Sequence, residues 1–208
     1  INILCEMIAS LKDDDQRITV DGFYDDVLEL SDSEREAMAR APFSEEAYKN
    51  SIGIGGTEGE PSYSPPERMS IRPTLDLNGI WGGYTGEGAK TVIPSIATAK
   101  ISMRLVPHQD FEKITEQFMA HFEKIAPPSV SVKITPMHGA APAVTPTDNP
   151  AYKAASRAMQ DTYGKEPIPV RSGGGMQTTM LGRVRTSCCR QWSGRAATCS
   201  TLMRSAHR

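Results

Sequence analysis

The chain has 208 residues, of which 38% are hydrophobic and 23% are charged. That length fits one globular domain, or one domain with part of a second, and allows a buried core. The formal net charge of -2 gives no basic surface, so neither nucleic acid nor an anionic membrane is an expected partner. The sequence has no apolar run of about 18 residues, and we expect a soluble protein.

Most of the cysteines lie near the end of the chain. Cys5 is the only one among the first 187 residues, whereas Cys188, Cys189 and Cys199 lie close together. This arrangement differs from the distributed disulfides of small secreted domains, and the cytoplasm is the expected location. Because the chain begins without Met inside a helical pattern, we expect it to be a piece of a longer protein.

The first part of the sequence predicts short helices and one brief strand. Apolar residues at helical spacing from Ile3 to Leu11 predict a helix of about three turns, and residues 17–20 alternate like a strand. Ser31 can cap a helix that runs to Ala41, because its hydroxyl can accept a hydrogen bond from an unpaired amide of the first turn. Ser44 repeats this start signal.

The middle of the chain contains a long loop and several predicted strands. Residues 53–68 combine glycines and prolines with little apolar periodicity, and we interpret them as a long surface loop. Strands are predicted at 71–80, 91–93 and 97–106. The last of these has the clearest alternation of apolar and polar residues.

Two amphipathic helices follow. Asp110 caps a helix whose apolar face runs from Phe111 to Ile125. Residues 130–134 alternate like a further strand, and a second helix from about 149 to 163 ends at Gly164. The β-α-β-α order predicts an α+β fold, in which an antiparallel sheet is covered on one face by two helices, as in a ferredoxin-like domain.

Two runs of residues resemble a known family. Residues 72–94 (RPTLDLNGIWGGYTGEGAKTVIP) and 100–107 (KISMRLVP) closely resemble the M20 metallopeptidases, especially the carnosinase-like dipeptidases. Similar passages follow the family's order at residues 2–11, 18–24, 138–139 and 167–174. The resemblance therefore covers about residues 1–175.

The resemblance implies a division of the parent enzyme. In M20 dipeptidases a catalytic domain binds two zinc ions through His, Asp and Glu side chains, and a Glu acts as general base. None of those early ligand motifs occurs in this sequence. The resemblance thus implies a lid or dimerisation domain at 1–166, and a truncated return to the catalytic domain at 167–208.

This division carries expectations for activity and partners. We expect zinc in the parent enzyme, with both ions held by ligands outside this chain, and neither catalytic nor metal-binding residues in the chain itself. The parent would act on a dipeptide and form a homodimer through the lid. The chain alone would be inactive as a dipeptidase.

Arg104 is the first of three residues that match substrate-binding positions of the family. Its planar guanidinium can bind a peptide carboxylate through two hydrogen bonds. Strand alternation directs it away from the core face that Met103 and Leu105 occupy. The alternative interpretation is a solvated strand arginine.

The other two matches are Thr91 and Asn78. Thr91 matches a lid threonine that in the family reaches the partner subunit's active site, and the alternative is an ordinary β-branched strand residue. Asn78 could hydrogen-bond the substrate, although Asn before Gly is typical of a turn. The glycine-rich run 82–88 lacks the Gly-Lys-Ser/Thr ending of a phosphate loop. His138 differs from the family's lid histidine, which the resemblance places upstream of Ile1.

The end of the chain has a different composition. No acidic residue follows Glu166, and six Arg and three Cys lie within 183–208. We interpret this change as a shift of reading frame near Gly175. A genuine Arg- and Cys-rich tail that binds metal or nucleic acid is the alternative.

Two further classes of function are open. One is a stand-alone dimerisation or interaction module that binds no substrate. The other is a small-ligand regulatory domain, because sheets covered by helices serve many functions.

Overall fold

The computed structural model describes residues 1–171, which contain six helices and two strands. In chain order these are α1 (Asn2–Ala9), α2 (Asp32–Ala39), α3 (Glu45–Ile52), α4 (Pro65–Ser70), β1 (Thr74–Gly82), β2 (Ala97–Arg104), α5 (Phe111–Lys124) and α6 (Pro150–Tyr163). Within this part of the chain, no helix is both long and apolar enough to cross a membrane.

The two strands form one antiparallel sheet. Thr74 pairs with Arg104 at one end, and Gly82 pairs with Ala97 at the other. Successive side chains of a strand point to opposite faces, so the alternating apolar residues of β2 share one face. Met103 on that face is 2% exposed.

One face of the sheet packs against α1 and α5. Apolar side chains recur at helical spacing in both helices, so each presents an apolar stripe to the sheet. The core residues of the sheet and these two helices are Leu4, Met7, Leu75, Ala97, Ala99, Ile101, Met103, Ile114, Phe118 and Phe122. Removal of this continuous apolar surface from water is the main force that holds the helices on the sheet.

The predicted α+β fold with an antiparallel sheet is confirmed. The helices that cover the sheet are α1 and α5, whereas α6 contains no buried residue in the described structure. The predicted start of α5 and both predicted ends of α6 are also confirmed, whereas α1 ends at Ala9 and α2 at Ala39, each two residues before the predicted end. The Asp110 and Asn149 side chains accept hydrogen bonds from first-turn amides, and Gly164 ends α6 in the left-handed conformation with φ 66°.

Three predicted strands are wrong. Residues 17–20 contribute only the bridge between Ile18 and Lys12, and neither 91–93 nor 130–134 forms a strand in the described structure. Val132 and Ile134 nevertheless pack against the core. Their alternation therefore reflects burial of one side of an extended segment, which does not require backbone pairing.

The predicted surface loop at 53–68 is less exposed than the sequence predicts. Glu60 and Tyr63 are buried, and α4 begins within it at Pro65. The Ser64 amide and hydroxyl donate hydrogen bonds of 2.7 and 2.6 Å to Glu67, which fixes the first turn of α4.

Two helix-capping carboxyls have lowered pKa values. Hydrogen bonds from the Ser31 hydroxyl and amide hold the pKa of Glu34 below its ordinary value, and Arg171 adds to the effect. Burial raises the pKa of Glu67, but the bonds from Ser64 and the charge of Arg35 outweigh it, so that this pKa is also lowered. Both caps therefore favour the ionised carboxylate.

We predict that Phe118→Ala lowers the free energy of unfolding by about 3–5 kcal/mol, because it leaves a cavity in the core. Phe118 is 1% exposed and stacks on Phe122 with ring centres 5.5 Å apart. Urea unfolding followed by circular dichroism measures the change. Tyr163→Ala is the control, since Tyr163 is 73% exposed, and it should change the value by less than about 0.5 kcal/mol. Equal effects of the two substitutions would contradict this assignment of the core.

We also predict that acid destabilises the fold partly through Glu67. Its unfolded pKa is near 4.5 and its folded pKa is lower, so its stabilising contribution is present above 4.5 and is lost as pH falls through the folded value. Urea midpoints measured from pH 7 to pH 3 should fall less steeply for Glu67→Gln than for the unmodified chain. Glu123→Gln, which changes an exposed carboxylate on α5, should leave the slope unchanged. Parallel profiles for all three proteins would exclude this contribution.

Candidate carboxylate-binding site

A cleft of about 870 Å³ opens at the end of the sheet where β2 terminates. One wall is formed by Arg104 and the residues up to Pro107, and another by 140–148 and the inner side of α6. One side of α2 and residues 167–171 close the remaining sides. Most of the lining side chains are Ala, Pro, Val, Ile or Met, so a charged group in this cleft stands out.

Arg104 is one of five charged residues that line this cleft. It is the last residue of β2 and is half-buried, while Met103 and Leu105 on either side of it are buried in the core. Within residues 1–171, no carboxylate lies within ion-pair distance of its guanidinium. A half-buried guanidinium without a carboxylate partner favours the binding of an external anion.

The other charged residues of the cleft differ in their pairing. Arg171 Nη2 lies 3.1 Å from Glu34 Oε1, and Arg72 is paired with carboxylates behind the cleft wall. Asp148 also lines the cleft and is exposed. Of the three arginines that line the cleft, Arg104 is therefore the one whose charge is not neutralised by a protein carboxylate in the described structure.

Arg72 lies at the centre of a polar cluster, which we call the Glu60 cluster: Tyr24, Glu29, Glu60, Tyr63 and Arg72. Glu60, Tyr63 and Arg72 are buried, Tyr24 is half-buried and Glu29 is exposed. Arg72 Nε and Nη2 donate hydrogen bonds of 3.0 and 2.8 Å to the two oxygens of Glu60. The guanidinium carbon lies 4.3 Å from the ring centre of Tyr63 and 4.9 Å from that of Tyr24. A bidentate ion pair combined with two cation–π contacts fixes this side chain in one orientation.

The remaining members connect the Glu60 cluster to the N-terminal part of the chain. The Tyr63 hydroxyl donates to Glu29 at 2.8 Å, and the Tyr24 hydroxyl donates to Glu60 at 3.5 Å while it accepts from the Ile18 amide at 3.0 Å. Three segments of the chain, at 18–29, 60–63 and 72, therefore meet at one ion pair.

Burial and charge shift the pKa values within this cluster. Burial lowers the pKa of Arg72, but the hydrogen bonds and charge of Glu60 outweigh it and hold that pKa above its ordinary value. Burial raises the pKa of Tyr63, and its hydrogen bond to Glu29 raises it further. The Arg72 guanidinium therefore stays charged and the Tyr63 phenol stays protonated near neutral pH.

Thr91 does not line the cleft with Arg104. It lies in residues 83–96, which form no helix or strand in the described structure, and it is exposed. The adjacent Val92 and Ile93 are exposed as well. These residues connect the Gly82 end of β1 to the start of β2, and this end of the sheet is opposite to that of Arg104.

Asn78 occupies a β-bulge. The pairing shifts between Leu77, opposite Ile101, and Gly79, opposite Lys100, so that Asn78 is the extra residue. It is exposed and does not line the cleft. A bulge gives Asn78 a structural role that explains the Asn-Gly pair. The structure thus places one of the three predicted site residues, Arg104, in the cleft.

The described residues offer no group of three or more His, Cys, Asp or Glu side chains that could hold a metal ion. Residues 1–171 therefore do not fit a two-metal centre by themselves. The interpretations of a shifted reading frame and of a metal-binding tail concern residues outside the described part of the chain.

The Glu60 cluster has no direct signal in the sequence. Glu60 lies in a run that has no periodicity, and Tyr63 follows it in the same loop. The one available indication was Arg72, a charge between the apolar residues Ile71 and Pro73, all of which are buried. A charged residue in such a position requires a partner, but the sequence does not say which.

The sequence is similar to those of known dipeptidases. The chain is 30% identical over 173 residues to the Beta-Ala-His dipeptidase of Homo sapiens, covering 82% of this chain and 34% of that protein. It is 29% identical over 181 residues to the Cys-Gly metallodipeptidase DUG1 of Candida albicans, covering 85% and 37%. The chain therefore spans about a third of the length of these relatives.

The fold is also similar to a solved structure. The M20 family metallo-carboxypeptidase Sso-CP2 from Sulfolobus solfataricus matches with a TM-score of 0.71 and 29% identity, over 88% of this chain and 41% of that one. The model of the M20 peptidase dimerisation domain matches residues 1–130, which is more than half of the chain. The chain belongs to the M20 peptidase dimerisation domain family.

Proposed function

We propose that this chain is the lid and dimerisation part of a zinc-dependent M20 dipeptidase, in which Arg104 binds the carboxylate of the peptide. The observation that supports this role most directly is the half-buried Arg104 guanidinium, which has no ion-pair partner within residues 1–171 and lines a largely apolar cleft. An apolar surrounding strengthens an interaction between a guanidinium and a carboxylate, because water competes less for both.

The bond-breaking chemistry would lie outside this chain. Bound zinc supplies an activated water and stabilises negative charge on the carbonyl oxygen of the scissile bond. The part of this chain that the structure describes contributes binding and orientation: Arg104 would hold the terminal carboxylate, and the apolar walls would exclude water. Residues 1–166 would form the lid, and 167–208 would begin the return to the catalytic domain. A cytoplasmic location stays a prediction from cysteine usage.

The separation of the two ends of the sheet supports a homodimer. β1 has nine residues, and at about 3.3 Å per residue the ends of the sheet lie roughly 25 Å apart. Thr91 follows the Gly82 end, while Arg104 lies at the Thr74 end. A dipeptide spans only about 7 Å. If both residues contact one dipeptide, they therefore come from different subunits.

A stand-alone interaction module is the second candidate, and one observation favours it. Leu77, Ile80 and Trp81 on β1 are all more than 39% exposed, and Ile93 and Ile96 beyond the strand are exposed too. An exposed apolar strand can pair with another chain. Such a module would dimerise without any requirement for Arg104, which is the point that separates the two candidates.

We predict that Arg104→Ala, in a full-length protein that carries this sequence, raises the KM for dipeptides by about 10–100-fold. The loss corresponds to one charge-assisted hydrogen-bonding group of about 1.5–3 kcal/mol. The unmodified enzyme should prefer a free dipeptide over the same dipeptide with an amidated C-terminus, and Arg104→Ala should abolish that preference.

Arg157→Ala is the matched control, because Arg157 on α6 is exposed and does not line the cleft. It should leave both KM and the preference unchanged, and light scattering should show the same dimer for all three proteins. An unchanged KM together with an intact dimer for Arg104→Ala would favour the interaction module.

We further predict that Thr91 acts across the dimer. Thr91→Ala and Arg104→Ala subunits, each impaired alone, should recover activity when they are mixed and allowed to exchange. Each hybrid dimer then contains one site with both defects and one intact site, so a statistical mixture should regain about a quarter of full activity. If Thr91 and Arg104 served the same subunit's site, every site would keep one defect and no activity would return.

A further inference from the structure

Arg72 and Arg104 are connected through a short piece of backbone. Arg72 lies two residues before the start of β1, and Thr74, the first residue of β1, pairs with Arg104, the last residue of β2. Pro73, which lies between Arg72 and Thr74, is buried, and its ring fixes its φ angle. A shift in the position of Arg72 would therefore also shift the backbone of the Thr74–Arg104 pair.

The Thr74–Arg104 pair at the end of this two-stranded sheet needs a further contact that holds it in place, which we call its anchor. Elements open at their ends at little cost in free energy, and within residues 1–171 no third strand flanks β1 or β2. Within those residues Arg104 also has no ion pair that would hold its own side chain in place. The orientation of its guanidinium thus depends on the backbone at the end of β2.

The Glu60 cluster supplies the anchor. The Arg72 side chain is 4% exposed, both oxygens of Glu60 accept its hydrogen bonds, and two tyrosine rings contact its guanidinium. Arg17 Nη1 lies 3.6 Å from Glu60, and Arg68 Nε donates to the Glu60 carbonyl at 2.9 Å. Glu60 itself is therefore held from two further positions of the chain.

We propose that Arg72 is a positioning residue for Arg104: the Glu60 cluster fixes the Thr74–Arg104 end of the sheet, so that the Arg104 guanidinium is already oriented for the substrate carboxylate. Arg72 would act through the backbone and would not contact the substrate. This inference rests on the proposed role of Arg104 in carboxylate binding. Preorganisation of this kind matters because a binding group misplaced by about 1 Å can lose about 100-fold in efficiency.

A double-mutant cycle in the full-length holoenzyme that contains this sequence tests the inference. Arg72→Lys keeps the charge but cannot form the bidentate pair with Glu60. It should raise the KM for a dipeptide about tenfold and leave kcat within about twofold, as expected for lost substrate binding. In an Arg104→Ala background the same substitution should change KM by less than about twofold, because there is no guanidinium left to position.

The outcomes separate the inference from the proposed function. If Arg104→Ala leaves KM unchanged, the proposed function fails. If Arg104→Ala raises KM while Arg72→Lys does not, or raises it equally in both backgrounds, the proposed function stands and the positioning role is wrong. A merely structural Arg72 would reduce the amount of folded enzyme without changing the KM of the folded fraction.

Glu60→Gln provides a second test in the 208-residue chain, and replaces Arg72→Lys in the cycle if that variant does not fold. Hydrogen exchange of the Thr74 and Arg104 amides should become at least about tenfold faster, while exchange at the Gly82–Ala97 end should stay the same. Equal acceleration at both ends, or at neither end, would overturn the inference.

Discussion

The ion pair between Glu60 and Arg72 is the interaction on which this end of the molecule depends. Both side chains are almost completely buried, and a buried charge that loses its partner destabilises a protein by about 3–5 kcal/mol. That is a large share of the stability of an ordinary domain, which is about 5–15 kcal/mol. Tyr24 and Tyr63 contact the pair, and Glu29 binds Tyr63. The long connection between α1 and β1, whose Phe23 packs in the apolar core, is thereby also tied to the start of the sheet.

Two arginines at the same end of the sheet have opposite environments. Arg72 has a bidentate carboxylate and two aromatic rings, so its hydrogen-bonding groups are used within the protein. Arg104 is half-buried and has no ion pair in the described part of the chain. A guanidinium that is already paired cannot bind a substrate carboxylate with the same donors. The two arginines therefore differ in role because Arg72 is paired with a carboxylate and Arg104 is not. Residue type alone would not reveal this difference.

The sequence predicted those features that depend on local periodicity and capping. β2, α5 and α6 were found because alternation, a 3.6-residue period and the caps Asp110 and Asn149 act over short distances. The strand predicted at 130–134 was wrong because alternation reports a buried side and does not report a pairing partner. Glu60 and Arg72 are 12 residues apart in the chain, and no short-range pattern connects them. Arg104 could be singled out only through the family resemblance, since a strand arginine is usually solvated.

The two ends of the sheet favour different contacts, an anion at one end and another protein chain at the other. The Thr74–Arg104 end opens into the cleft, whereas the Gly82 end and residues 83–96 expose Trp81, Ile93 and Ile96. Exposed apolar side chains on a strand favour association of chains, and a free guanidinium in a cleft favours an anion. Because the two ends lie roughly 25 Å apart, contacts at one end leave the other accessible. A dimer formed through the apolar end would bring Thr91 of one subunit toward its partner while each Arg104 remained available to substrate.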